Sequence, residues 1–191
     1  FAMIIMAGAK ISHIIGIFIF LTSAFLSLIY IAPYRMQRVF SFLDPYNDPQ
    51  GSGYQIIQSF VSFAKGKFLG VGLGNSSQKL FFLPQGHNDF IFSIIAEELG
   101  FLGSFAVVVL FSTLIYSGFK MLERSKDLFS RNLLSGLLIL ISMQIIINLS
   151  VTVGLMPTKG VPLPLISYGG SSLIFTLSSL GLILALDKRR K

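Results

Sequence analysis

Four stretches without a single Asp, Glu, Lys or Arg dominate this chain: Ile11 to Tyr34, Leu99 to Phe119, Asn132 to Thr158 and Gly160 to Leu186. Each is longer than the roughly 20 residues an α-helix needs to cross the hydrocarbon core of a bilayer. A large soluble protein can bury one such helix, but 191 residues leave too little polar surface to cover four. Only 12% of the chain is charged, against about 25% in a soluble domain. Mean hydropathy is correspondingly high, at +0.76. In lipid the backbone finds no outside hydrogen-bond partner, so these stretches are expected to be helices. The fold class expected is therefore an all-α polytopic membrane protein. It would have four full transmembrane helices, the remnant of a preceding one, and a large extracytoplasmic loop with short interfacial helices.

The opening Phe1-Ala2-Met3-Ile4-Ile5-Met6 has neither an initiator Met nor a charged n-region, unlike a signal peptide. It reads as the tail of an earlier span, so the chain is expected to be the carboxyl-terminal part of a larger protein. The expected single membrane domain runs in order: end of a preceding span 1–9, span 11–34, large outer loop 35–98, span 99–119, cytoplasmic loop 120–131, span 132–153, outer loop 154–170, span 171–186 and cytoplasmic tail 187–191. Sidedness comes from the cations. Lys10, then Lys120, Arg124, Lys126 and Arg131, then Lys188 to Lys191 fall on one side, while the short loop opposite holds only Lys159. The positive-inside rule makes the first side cytoplasmic. The net charge of +7 is then mostly topology. No basic face on a soluble surface suggests nucleic acid, and the absence of Cys excludes thiolate chemistry.

The outer segment holds the chemistry-bearing residues. Asp89 sits between a Pro/Gly loop and the apolar run from Phe90, where a carboxylate is costly unless something uses it. His87 beside it can titrate near neutrality. Glu97 and Glu98 read as helix-start residues that favour the positive end of the next span's dipole. Residues 44–53 are a dense turn cluster. In the segment after it, Ile56, Ile57, Phe60, Val61 and Ala64 share a helical face, with Gln55, Ser59 and Ser62 off it. That pattern suits a helix at the membrane surface or a core helix of a small outer domain. The glycine run 70–76 lacks the Lys-Ser/Thr ending of a nucleotide loop and is better read as permitting close backbone approach. Arg35, Arg38, Lys65, Lys67 and Lys79 suit either anchoring to anionic lipid or recognition of a phosphorylated substrate. In the second outer loop, Pro157, Pro162 and Pro164 break the helix repeatedly. Non-helical backbone at that depth is tolerated only where it lines a cavity or is buried in protein. Lys159 is its lone charge.

These blocks resemble the SEDS family, the FtsW, RodA and SpoVE group. The matching segments are Tyr34 to Val39, Asp48 to Gln55, Gly72 to Lys79, His87 to Phe92, Glu97 to Gly100 and Pro157 to Gly170, in the family's order and over nearly the whole chain. The Gly-Asn-Ser-x-Gln-Lys and Pro-Thr-Lys-Gly-Val-Pro-Leu-Pro forms are closer to the FtsW division branch than to RodA. Two positions depart: Gln85 stands where the family usually has Glu, and Asn88 where it usually has Thr. The resemblance implies a peptidoglycan glycosyltransferase of about ten spans, of which this is the later half. It would polymerise lipid II into glycan strands with inversion, on the outer face of the bacterial cytoplasmic membrane at the division septum. Lipid II, membrane lipids, a class B penicillin-binding protein and other divisome proteins are the implied partners. The family's essential aspartate matches Asp89, which would act as base on the acceptor sugar. Arg35, Arg38, Lys79 and Lys159 would hold the diphosphate, with His87, Ser167 and Tyr168 as further substrate contacts. Magnesium or manganese could assist diphosphate binding, although no ligand cluster in the sequence marks a metal site. The competing functions are a flippase for the same lipid-linked precursor, using broken helices around a cavity, and a divisome scaffold without catalysis.

Overall fold

A computed structural model describes residues 10–31, 33–51, 53–79, 88–125 and 127–188, with no account of the side chains of 29–31 and 33–35. The regular elements are α1 (Ile11–Ile31), α2 (Pro33–Leu43), a 3-10 turn (Pro45–Asn47), α3 (Tyr54–Gly66), α4 (Ile91–Glu123), α5 (Leu128–Thr152) and α6 (Gly170–Lys188). No strand occurs among the described residues. Four helices, α1, α4, α5 and α6, are long and apolar enough to cross a membrane, as the uncharged stretches predict. The remnant expected at 1–9 lies outside the described residues.

Local chemistry fixes the ends. Asp127 caps α5 by accepting from the Ser130 amide at 2.9 Å and its hydroxyl at 2.8 Å. At the other end the Leu155 amide reaches Ser150 O at 2.7 Å and the Gly154 amide reaches Val151 O at 3.1 Å, the paired bonds of a Schellman stop. Gly154 takes the left-handed conformation, φ 74°, that this stop requires. A Cβ there would also strike the Phe60 ring.

The core lies between α4 and α5 and reaches α6. Leu134, Leu138, Ile141 and Ile145 of α5 pack with Phe92, Phe111 and Leu122 of α4, Leu163 of the following loop and Ile183 of α6. The most enclosed span is α5, with 44% of its apolar window buried, whereas the corresponding window of α1 has none.

Two expectations are corrected. First, the buried residues of α3 are Ile56, Ser59, Ser62 and Gly66, so only Ile56 of the apolar stripe is buried, and Ser59 and Ser62, expected off the packed face, lie on it. Small residues allow close backbone approach between helices. Ser59 donates to Thr152 O at 2.6 Å and Ser62 to Gln58 O at 3.0 Å, so these hydroxyls are buried at little cost. Ala64 is exposed instead. Second, α4 is not one rod beginning at residue 99. It starts at Ile91 and breaks at Gly100, φ 67° and ψ −163°, into halves 91–99 and 101–123. The segment 67–72 takes up the backbone groups that the break releases. Val71 and Gly72 amides donate to Glu97 and Glu98 carbonyls, both at 3.0 Å, while Phe101 and Leu102 amides donate to Lys67 and Phe68 carbonyls at 2.9 and 3.3 Å. Gly70 and Gly100 face each other so closely that a Cβ on either would overlap backbone.

Candidate active site

Asp89 lies in the turn that leads into α4. The next residue, Phe90, is buried and packs with Ile94 and Val151, and its carbonyl accepts from the Ser93 hydroxyl at 2.7 Å. The aromatic anchor fixes where the acid emerges. The carboxylate is half-buried, and burial raises its pKa above 3.8. No donor among the described residues bonds to it. It faces Gly160 across the second loop, where a Cβ would stand 3.3 Å from Asp89 Oδ2. A carboxylate without donors, partly withdrawn from water and raised in pKa, is suited to accepting a proton.

The second loop is stitched to this turn from two sides. On α5, Gln144 Nε2 donates to Pro162 O at 3.0 Å. One turn on, Asn148 Nδ2 donates to Val161 O at 2.7 Å and to Asp89 O at 2.9 Å. From within the loop, Ser167 Oγ accepts from the Leu163 amide at 2.7 Å and donates to Asn88 O at 2.5 Å. The Asn88 contact is made by its backbone, so the departure from Thr at that position leaves it intact. From α2, Arg38 Nη1 donates to Thr158 O at 2.9 Å, which holds the strand of loop that continues into Lys159.

Among the candidates from sequence, Asp89, Arg38, Lys159 and Ser167 are thus brought to one place, with Ser167 joining loops rather than facing outward. Tyr168 is 82% exposed beside them. Lys79 is drawn elsewhere: its Nζ lies 3.8 Å from Glu98 Oε1, at the far end of 91–99 from Asp89. The Arg35 side chain, His87 and Gln85 fall outside the described residues.

Glu97 is not a helix-start residue. It ends the first half of α4, is 1% exposed, and accepts from Ser76 Oγ, from Ser77 Oγ at 3.0 Å and from the Gln78 amide at 3.4 Å. Lys65 Nζ donates to Ser77 Oγ at 2.6 Å, extending the network. The helix-start reading failed because the uncharged run begins just after these acids, while the helix begins earlier, at Ile91. Gln144, Asn148 and Gly160 were missed. The two amides, four residues apart in an uncharged span, were a legible signal, since polar side chains in a span seek partners. Among the described residues no three His, Cys, Asp or Glu side chains converge.

The family model described as FtsW/RodA/SpoVE, cell cycle protein, matches residues 1–191. A probable peptidoglycan glycosyltransferase FtsW of Nitrosococcus halophilus is 46% identical over 97% of this chain and 49% of its own length. The stage V sporulation protein E of Bacillus subtilis is 42% identical over 97% of this chain and 51% of its own length. The chain therefore spans about half the length of the curated relatives it matches. Among solved structures, a chain from work on "structural coordination of polymerization and crosslinking by a peptidoglycan synthase complex" superposes with TM-score 0.76. It is 35% identical, over 98% of this chain and 52% of that one. Thermus thermophilus RodA superposes with TM-score 0.51 at 43% identity, over 55% of this chain and 34% of its own. The motifs around Asp89, the helical architecture and a match running from first residue to last have one reading: this chain belongs to the FtsW/RodA/SpoVE family.

Proposed function

We propose that this chain forms the catalytic part of a peptidoglycan glycosyltransferase that polymerises lipid II. The observation that carries the reading is the half-buried carboxylate of Asp89, without a donor among the described residues, facing Gly160 in the loop whose Thr158 carbonyl Arg38 holds. Relatives named as probable peptidoglycan glycosyltransferases support it.

In the proposed reaction an acceptor sugar hydroxyl attacks the anomeric carbon of the donor. The new C–O bond forms as the bond from that carbon to the diphosphate oxygen breaks, and the configuration inverts. Asp89 takes the hydroxyl proton, and the electron pair leaves with the lipid diphosphate. Lys159, next in the chain to the Gly160 that Asp89 faces, is the first candidate cation for that developing charge, with Arg38 and Arg35 as further candidates. Lys79 is a weaker candidate, given its pairing with Glu98. The positive-inside rule puts this face outside the cytoplasm. The similarity to a chain of a peptidoglycan synthase complex makes a class B penicillin-binding protein the expected partner, at the division septum if the FtsW likeness extends to location. The test is lipid II polymerisation by the full-length protein with that partner. Asp89→Asn should lower the rate by about 10²–10⁴-fold, the usual contribution of a general base, and undiminished polymer would sink the assignment.

A further inference from the structure

We infer that Asn148 is a positioning residue for the reaction, fixing the acid against the loop it faces. The inference rests on the reading of Asp89 as the base.

Asn148 is 1% exposed in an uncharged span. Both hydrogens of its amide are used, one on Asp89 O at 2.9 Å and one on Val161 O at 2.7 Å. Because both partners are carbonyls, it is the amide nitrogen and not the oxygen that must face them. Asn148 Oδ1 is buried without a partner among the described residues. A buried unpaired acceptor is a penalty that Leu at this position would avoid. The amide therefore does something that apolar packing cannot.

What it does is geometric. Gln144 binds the second loop alone, and Ser167 joins that loop to Asn88. Asn148 joins the residue that carries the acid directly to the residue after Gly160, through one rigid group. Gly160 is where the structure leaves Asp89 Oδ2 room. A catalytic group has to be held within about 0.5 Å of its productive position, and a single amide bridging both backbones supplies that restraint.

The test uses the full-length protein with its partner. Asn148→Leu should lower kcat for lipid II polymerisation by about 10–100-fold, the scale lost when a reacting group is slightly misplaced. KM should change less than about twofold; Leu keeps the branching and heavy-atom number of Asn, and the unfolding temperature should fall by only a few degrees as Asp89 O and Val161 O lose their donor. Ser142→Ala, which removes a different buried polar group, a hydroxyl, from the same helix, should leave the rate unchanged. Asn148→Asp keeps the shape, yet can donate only when protonated, and then to one carbonyl. Its rate relative to the parent protein should therefore rise as pH falls. Among the described residues the charged groups nearest in the fold are Asp89, Lys159 and Arg38, which both proteins share, and the ratio is read above the acid limb of Asp89 so that its own titration does not enter. A parental kcat in Asn148→Leu, or a pH-independent ratio in Asn148→Asp, overturns the inference; if the Leu variant does not fold, the Asp variant decides. Should Asp89→Asn be inactive while Asn148→Leu is fully active, only the positioning inference fails. Should Asp89→Asn be fully active, the base assignment itself fails.

Discussion

Two carboxylates stand at opposite ends of the segment 91–99, and their surroundings are opposites. Glu97 is buried and takes hydrogen bonds from Ser76, Ser77 and the Gln78 amide. Asp89 is half-buried and takes none from the described residues. A buried acid with its acceptors filled ties chain segments together; an acid left without donors in a partly desolvated place keeps its lone pairs for something else. In a chain where charge is scarce, hydrogen-bond satisfaction thus separates a structural acid from a candidate reactive one more sharply than burial does.

The contrast is most exposed to failure at Asp89. Asp89→Asn should cost activity at the scale given above and leave folding untouched. The sign of its stability effect follows from the raised pKa: the folded state holds the proton more tightly than the unfolded chain does. The contribution of Asp89 is thus most favourable at pH below 3.8 and is lost as pH rises through the raised folded value. At neutral pH the Asn variant should melt no lower than the parent. Activity runs the other way, since a base must be ionised, and the acid limb of kcat/KM should lie above pH 3.8.

Glu97→Ala should invert the pattern, with a loss of about 2–4 kcal/mol in stability from leaving buried donors unpaired. Thermal unfolding in detergent measures it, and a variant that melts like the parent would erase the distinction between the two acids. Gly160→Ala should come next. Its methyl would press on Asp89 Oδ2 at 3.3 Å, lowering polymerisation about tenfold with little change in melting. The smallest effect belongs to Lys79→Ala. Its pair with Glu98 is long, at 3.8 Å, and 36% of the Lys79 side chain is exposed. Such pairs contribute at most about 1 kcal/mol, and a collapse of activity would return Lys79 to the diphosphate site.

The spans were legible because lipid permits so little else: an uncharged stretch longer than a bilayer is a helix almost by elimination. Asp89 was legible because a carboxylate at such a boundary is costly. The break at Gly100 was not, since Leu99-Gly100-Phe101 sits in a continuous apolar run and its backbone partners come from 67–72, far away in sequence. For the same reason Glu97 looked like a helix start. Apart from Ile56, the packed face of α3 was hidden because it is small rather than apolar, and helical periodicity weighs hydrophobicity, not closeness of approach. Asn148 was legible as a polar residue seeking a partner, but its partners, Asp89 O and Val161 O, required knowing which two loops meet.

The interruption at Gly100 also bears on how the protein is made. A span broken this way carries orphaned amides and carbonyls, each costing several kcal/mol in hydrocarbon, until residues 67–72 arrive to bond them. Synthesis runs from the amino terminus, so 67–72 leaves the ribosome before α4 does. Its partner strap is already made when the broken rod enters the bilayer. Biogenesis order and native pairing therefore agree, and a circular permutant that delivers 67–72 after α4 would have to insert the span with its corner bare.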